Sequence, residues 1–316
     1  MTPAADLSVD LGRLGLANPI MTAAGCGGYG VELSSVVDLS ALGAHIVKSL
    51  AIFAHEGNPA PRLAPLPGGM LNSVGLPGPG VRAWLSEHYP RLVASGAVFG
   101  VSIWGRTVDE YAQAASVLAT GAPEVALLEL NISCPNTEAG ERLFAHDPAA
   151  TAAIVAGCRR VNDSPLFVKL SPNTDRYLEV ASAALEAGAD GLVAINTVFG
   201  QWFFDGRPAL GTRRGGGLSG SQIHAIALRI VGELRQRFPG IAIVGVGGIA
   251  NVDGVLRMLL AGADAVQVGT ANFVDPRRSQ LIVEELSGYL RSRGVGVLRD
   301  WIDRQSRLDR SVPDGG

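Results

Sequence analysis

Short apolar runs recur along the chain, each closed by glycine, proline or a polar residue, and longer stretches with helical spacing separate them. Read as strands, the runs fall at 19–23, 45–48, 98–103, 125–131, 166–170, 191–196, 241–246 and 265–268. Most are apolar almost throughout rather than alternating, the pattern of parallel strands covered on both faces. Helical spacing covers 32–42, 108–119, 148–161, 175–187, 221–238, 251–261 and 276–290. Thr107 and Asp147 stand as N-caps, Pro148 opens a first turn, and Gly188 and Gly262 end helices just before a turn into a strand. Eight strands alternating with helices is the arithmetic of a (β/α)8 TIM barrel of the α/β class. An open doubly wound sheet is the rival that periodicity does not separate. No linker or shift of composition divides 1–316, so one domain is expected. Two connections, 49–80 and 197–220, are long for such a fold, and loops of that length carry function or act as lids.

Composition narrows the class. Apolar residues make up 47% and charged residues 17%, enough apolar material for a large core and against disorder. Lys and Arg number 26 against 29 Asp and Glu, so there is no basic field to hold nucleic acid or an anionic membrane. Three scattered cysteines suit neither a disulfide framework nor a four-thiolate site, and the five histidines lack ligand spacing, so no metal is expected. The first ten residues carry acids and no apolar core, unlike a signal peptide, and no apolar stretch is long enough for a membrane helix. A cytoplasmic protein is the expectation.

In a (β/α)8 barrel, chemistry sits on the loops at the C-terminal ends of the strands. The polar and glycine-rich residues of this chain gather at those ends: Ala24-Gly25-Cys26-Gly27, Lys48-Ser49, Ser102, Asn131 with Ser133-Cys134-Pro135-Asn136, Lys169, Asn196-Thr197, Gly245 to Gly248, and Gly269-Thr270. Gly247-Gly248 and Gly269-Thr270 read as a phosphate cradle, since glycine lets backbone N–H groups approach phosphate oxygens. The segment 25–30 fits G-x-G-x-x-G, but the next strand ends in Lys48 where a dinucleotide site needs an acid, so that reading is rejected. Lys48 and Lys169 follow apolar runs and ask for an anionic partner, such as a flavin that gains charge on reduction. Asn72, Asn131, Asn136 and Asn196 offer the donors and acceptors that match the edge of a pyrimidine, though any one of them also suits a turn. Cys134 is a rim thiol that could serve as base or nucleophile, and spacing alone leaves an inert buried thiol open. Cys158 reads as core filling, and Cys26 is undecided. The Asn131-Ile132-Ser133 sequon at a strand end is not read as a glycan site.

Seven segments in order, "GNPAPRLAPLPGGMLNSVGLPGPG" (57–80), "ELNISCPN" (129–136), "VKLSPN" (168–173), "INT" (195–197), "GGLSG" (216–220), "GVGGI" (245–249) and "VGTANF" (268–273), resemble dihydroorotate dehydrogenase, most nearly the class 1B catalytic subunit. The resemblance spans roughly 7–290. It implies an FMN-binding (β/α)8 barrel that oxidises (S)-dihydroorotate to orotate in pyrimidine biosynthesis. It puts Cys134 at the base that removes the C5 proton and Lys48 against both FMN and the substrate carboxylate. Asn72, Ser73, Val74, Gly75 and Leu76 would line the substrate, and Asn131, Asn136, Asn196 and Thr197 would hold the pyrimidine. Lys169 would sit on the flavin N1 side. Ala24, Ser49, Ser102, Asn131, Ile195, Gly220, Gly247, Gly248, Gly269 and Thr270 would line FMN, the last four around its phosphate.

Two positions depart from the family pattern: Ala24 stands where Ser is frequent, and Ser102 where class 1B often has Asn. The resemblance further implies a homodimer and, for class 1B, a partner subunit carrying FAD and an iron–sulfur cluster that passes electrons to NAD. The class 1A alternative is a homodimer reducing fumarate. "NTEAGERLF" (136–144) is also similar to the flavin domain of dihydropyrimidine dehydrogenase, which keeps another pyrimidine substrate open. A non-redox phosphate-binding barrel is the reading from a different class.

Overall fold

The computed structural model describes residues 5–133, 135–136 and 142–309. Eight parallel strands form one sheet: Ile20–Thr22, His45–Leu50, Phe99–Ile103, Leu127–Asn131, Leu166–Leu170, Gly191–Ala194, Ala242–Val246 and Ala265–Val268. From the second on, each pairs with the next in sequence, and the eighth pairs with the first. The ring closes between first and second, where Met21 bridges Ala44 and the Thr22 N–H donates to the Ala44 carbonyl at 3.2 Å. All eight lie where the apolar runs predicted them, and closure decides for the barrel over the open sheet.

Residues two apart on a strand face the same side. One parity (Phe99, Val101, Leu128, Leu130, Val168, Leu170) packs outward against the helices. The other points inward. Its lower layer is apolar: Met21, Ile46, Leu127, Phe167, Val193, Val244 and Ala265 pack with Leu11 and Leu16. Leu16 lies in the small hairpin Val9–Asp10/Gly15–Leu16, and with Leu11 it plugs this end of the barrel. Gly100 also faces inward, where a Cβ would come within 2.7 Å of Leu127 Cγ, so the layer is full. One step up, the same parity turns polar: Glu129, Lys169 and Gln267, then Asn131.

The helices at Val108–Gly121, Pro148–Arg159, Tyr177–Glu186, His224–Arg237, Val252–Leu260 and Arg278–Ser292 match six predicted stretches to within a few residues. Thr107 Oγ1 accepts from the Glu110 N–H at 3.2 Å. Asp147 Oδ1 accepts from the Ala149 and Ala150 N–H groups at 2.9 and 3.1 Å. Asp147→Ala is expected to cost about 1 kcal/mol of stability through loss of this cap, read from the midpoint of a urea transition.

The stretch 32–42 is a correction. It forms two short 3-10 turns, Glu32–Ser35 and Leu39–Ala41, not a helix. Ser34 Oγ donates to the Val31 carbonyl and Asp38 Oδ1 accepts from the Ser40 N–H, so local side chains compete with the helical ladder. Four helices were not expected: Val81–Glu87, Tyr89–Ala94, Ala271–Val274 and Leu298–Asp309.

The two long connections meet. Leu63–Leu66 and Gly69–Asn72 from the first join Val198–Gly200 and Gly216–Gly220 from the second in one antiparallel four-stranded sheet. Asn72 pairs with Gly217, and Ala64, Leu66, Leu71 and Leu210 pack as its own small core. This roof covers the C-terminal mouth of the barrel.

Candidate active site

Between barrel mouth and roof lies a cavity of about 720 Å³. Of the predicted site residues, Ala24, Lys48, Ser49, Asn72, Val74, Gly75, Leu76, Asn131, Lys169, Ile195, Asn196, Thr197, Gly220, Gly247, Gly248, Gly269 and Thr270 border it. Two do not. Ser102 is fully buried and reaches the site through Ser49, oxygen to oxygen at 2.8 Å. Ser73 turns aside and accepts from Asn58 Nδ2 through both its carbonyl and its hydroxyl. Cys134 lies outside the described residues, as does the side chain of Asn136, whose backbone pairs with Arg142.

Lys48 closes one side. It emerges from the second strand beside the glycine-rich loop after the first. Its Nζ donates to Tyr29 Oη at 2.7 Å and to the Pro77 carbonyl at 2.6 Å, and the Tyr29 hydroxyl donates to the same carbonyl. Burial, aided by Arg62, pulls the Lys48 ammonium down to about 8. Burial and then Glu32 push the Tyr29 phenol up to about 12, so it stays a neutral hydroxyl. Trp84 Nε1 donates to the Tyr29 carbonyl at 2.6 Å and fixes the loop.

A net of amides holds the middle. Asn196 Nδ2 donates to Asn131 Oδ1 at 3.3 Å and to Ser133 Oγ at 3.0 Å, and Asn131 Nδ2 donates to Ser49 Oγ at 3.3 Å. The tip of the fourth strand is pinned from behind, where Tyr111 Oη donates to the Asn131 carbonyl at 2.6 Å while its ring packs edge-on against Phe144. Asn173 joins the Ser171 hydroxyl to the Thr197 carbonyl.

The floor is an ion pair. Lys169 Nζ lies 3.3 Å from Glu129 Oε1 and donates to Gln267 Oε1 at 3.1 Å, and Gln267 Nε2 donates to Glu129 Oε2 at 2.6 Å. Cys26 borders the cavity near this triad, and burial pushes its thiol up to about 11.

Glycines make the far end. Gly220, Gly247 and Gly248 all take positive φ (103°, 136° and 69°), and Thr270 Oγ1 donates to Ser219 Oγ at 2.8 Å. A Cβ on Gly248 would meet His224 Cβ at 2.6 Å and the Gly220 carbonyl at 2.9 Å.

Sequence reasoning missed Glu129, Gln267, Tyr29, Ser171, Asn173 and Ser219. For the first two a signal existed: Gln267 is the one polar residue in its strand, and Glu129 lies two residues before Asn131 on the same inward-facing side of an otherwise apolar strand. The others lie inside segments read above for other reasons, Tyr29 in 25–30, Ser171 and Asn173 in 168–173 and Ser219 in 216–220, but none was singled out as a site residue.

Fold and rim together define a class: a (β/α)8 barrel enzyme whose strand tips line one cavity under a separate roof. Residues 6–290 match the sequence profile of the dihydroorotate dehydrogenase family, and the chain belongs to that family. It is 44% identical over 303 residues to the dihydroorotate dehydrogenase B (NAD(+)) catalytic subunit of Trichlorobacter lovleyi, covering 96% of this chain and 98% of that one. The subunit of the same name from Bacillus pumilus is 42% identical over 300 residues, 94% and 96% of the two chains. That from Anoxybacillus flavithermus is 42% identical over 308 residues, 97% and 98%. Enzymes of this family are flavoproteins that oxidise a CH–CH bond. Among the described residues, no helix is long and apolar enough to cross a membrane.

Proposed function

We propose that the protein oxidises (S)-dihydroorotate to orotate with FMN, working in the cytoplasm as one domain over its whole length. The observation that carries this is the cavity itself: a glycine cradle at one end, Lys48 at the other, and an amide net between them. The donor set fits FMN. Gly220, Gly247 and Gly248 take positive φ, and a Cβ on them would strike Gly69, Ala227 or His224, so this end of the cavity stays free of side chains, as a phosphate cradle requires, while Lys169, paired with Glu129, borders the floor. Gly220, Gly247, Gly248, Gly269 and Thr270 would hold the phosphate end, with Ala24, Ser49 and Ile195 along the ring system. When bound, FMN supplies the acceptor for the hydride from C6 of the substrate.

The chain's own residues do the rest. Cys134 takes the C5 proton as general base. Lys48 faces the substrate carboxylate, and Asn72, Asn131, Asn136, Asn196 and Thr197 orient the ring, so that positioning supplies much of the acceleration. The roof excludes water from the reacting atoms. Anaerobic addition of dihydroorotate to the yellow protein tests the reading. Bleaching of the flavin is expected, and a protein that loads FMN but stays oxidised with dihydroorotate overturns it.

Two measurements probe the ends of the cavity. Gly248→Ala puts a side chain at a left-handed position, a strain of about 1–3 kcal/mol, so FMN binding is expected to weaken by about ten- to a hundredfold, read from released flavin fluorescence. Lys48 carries its proton below about 8 and loses it above. The attraction for a carboxylate is therefore present on the acid side and lost as pH rises. Orotate affinity, followed by the flavin spectrum, is expected to hold level below that pH and to weaken above it. Lys48→Met should lower the affinity and abolish the break.

Electrons leave through a separate subunit to NAD, a reading supported by the names of the relatives, which are catalytic subunits of an NAD(+) enzyme; the resemblance adds FAD and an iron–sulfur cluster on that subunit. Co-purification of a two-subunit flavoprotein would bear it out. The catalytic chain itself pairs as a homodimer, for which the exposed aromatics Phe199, Phe203 and Phe204 offer apolar surface.

A further inference from the structure

The Lys169 ammonium is not a free cation. Glu129 is 0% exposed, Gln267 1% and Lys169 6%, so water does not compensate either charge. Glu129 uses both oxygens inside the triad, one toward Lys169 and one toward the Gln267 amide. Gln267 is oriented by that contact so that its carbonyl oxygen receives the ammonium. An ammonium has three donors, and Glu129 and Gln267 take two of them. Cys26 stands close by as a neutral thiol and adds no charge. Glu129 and Lys169 both border the cavity, so a ligand there meets a pair whose formal charges cancel.

We infer that Glu129 and Gln267 are positioning residues that fix Lys169 at the cavity floor as half of a neutral pair, so that Glu129 sets the reduction potential of the bound flavin by offsetting the lysine. The inference rests on the FMN reading above. Reduction adds negative charge to the flavin, and the two buried charges act on it in opposite directions through a weakly screening interior. Removing the carboxylate alone leaves an uncompensated cation under the ring. Removing both restores neutrality.

The test is spectroelectrochemical titration of the FMN-loaded protein without substrate, so that turnover does not enter. Glu129→Gln is expected to favour the reduced flavin at least tenfold, which for a two-electron couple is about 30 mV upward. Sulfite, an anion that adds to oxidised flavin, should bind Glu129→Gln more tightly by a similar factor. The double variant Glu129→Gln/Lys169→Gln holds no unpaired buried charge and serves if the single variant does not fold. Its potential is expected to stay within about threefold, in equilibrium constant, of the unaltered protein by the same conversion. A Glu129→Gln protein that loads FMN with an unchanged potential overturns the inference and leaves the FMN reading standing. A double variant shifted tenfold or more toward oxidised flavin also overturns it, because the lysine would then act uncompensated. A protein that takes up no FMN overturns both.

Discussion

Replacing Cys134 with Ala is expected to leave FMN bound and to slow flavin reduction by dihydroorotate about 10²–10⁴-fold, the contribution of a well-placed general base. The chain has three cysteines. Burial pushes Cys158 up to about 12 inside the helix Pro148–Arg159, and Cys26 up to about 11 beside the cavity floor, so neither yields a thiolate near neutral pH. Cys134 follows Ser133, whose hydroxyl accepts from Asn196 and whose N–H donates to Asn131. Its neighbour is thus tied into the net proposed to hold the pyrimidine. FMN binding draws on the opposite end, around Gly247, Gly248 and Thr270, and should not sense the change. Anaerobic stopped-flow following the visible absorbance of the flavin separates the two effects. Reduction at the unaltered rate would remove Cys134 from the role.

Lys169→Gln carries the largest expected effect on stability. It strands the Glu129 carboxylate in the barrel with no solvent contact, and breaking a buried pair by removing one partner costs about 3–5 kcal/mol. Gln267 does not offset this, since its amide already donates to Glu129. The double variant Glu129→Gln/Lys169→Gln is expected to recover most of the loss, because two amides bond to each other without a desolvated charge. Urea midpoints of the unaltered protein, of Glu129→Gln, of Lys169→Gln and of the double variant measure the coupling. Equal stability of the single and double variants would show that the pair is not coupled in this way.

The strands were legible because a barrel buries both faces of each strand, and an unbroken apolar run such as 166–170 states that directly. What those runs concealed was parity. Glu129 and Gln267 sit in strands that read as apolar, and their meaning appears only when Leu127, Phe167 and Ala265 are seen to fill the layer beneath. Lys169 was recognised as a cation in need of a partner, but its partners are 40 and 98 residues away in sequence. Pairing at that range is set by barrel closure, not by local pattern. The turns at 32–42 were misread for the opposite reason: apolar spacing suggested a helix while Ser34 and Asp38 bonded their own backbone. Most of the rim residues do border one cavity. Ser73 and Ser102 stand behind it, a distinction of side-chain direction that spacing does not carry.

Asn72 and Gly217 face each other across the roof although 145 residues separate them, and their strands share one backbone ladder. Anyone seeking to retune ligand choice by transplanting loops from a relative therefore has to exchange 49–80 and 197–220 as a matched set. A chimera carrying a single donor segment would bring mismatched edges together and lose the canopy it was meant to reshape.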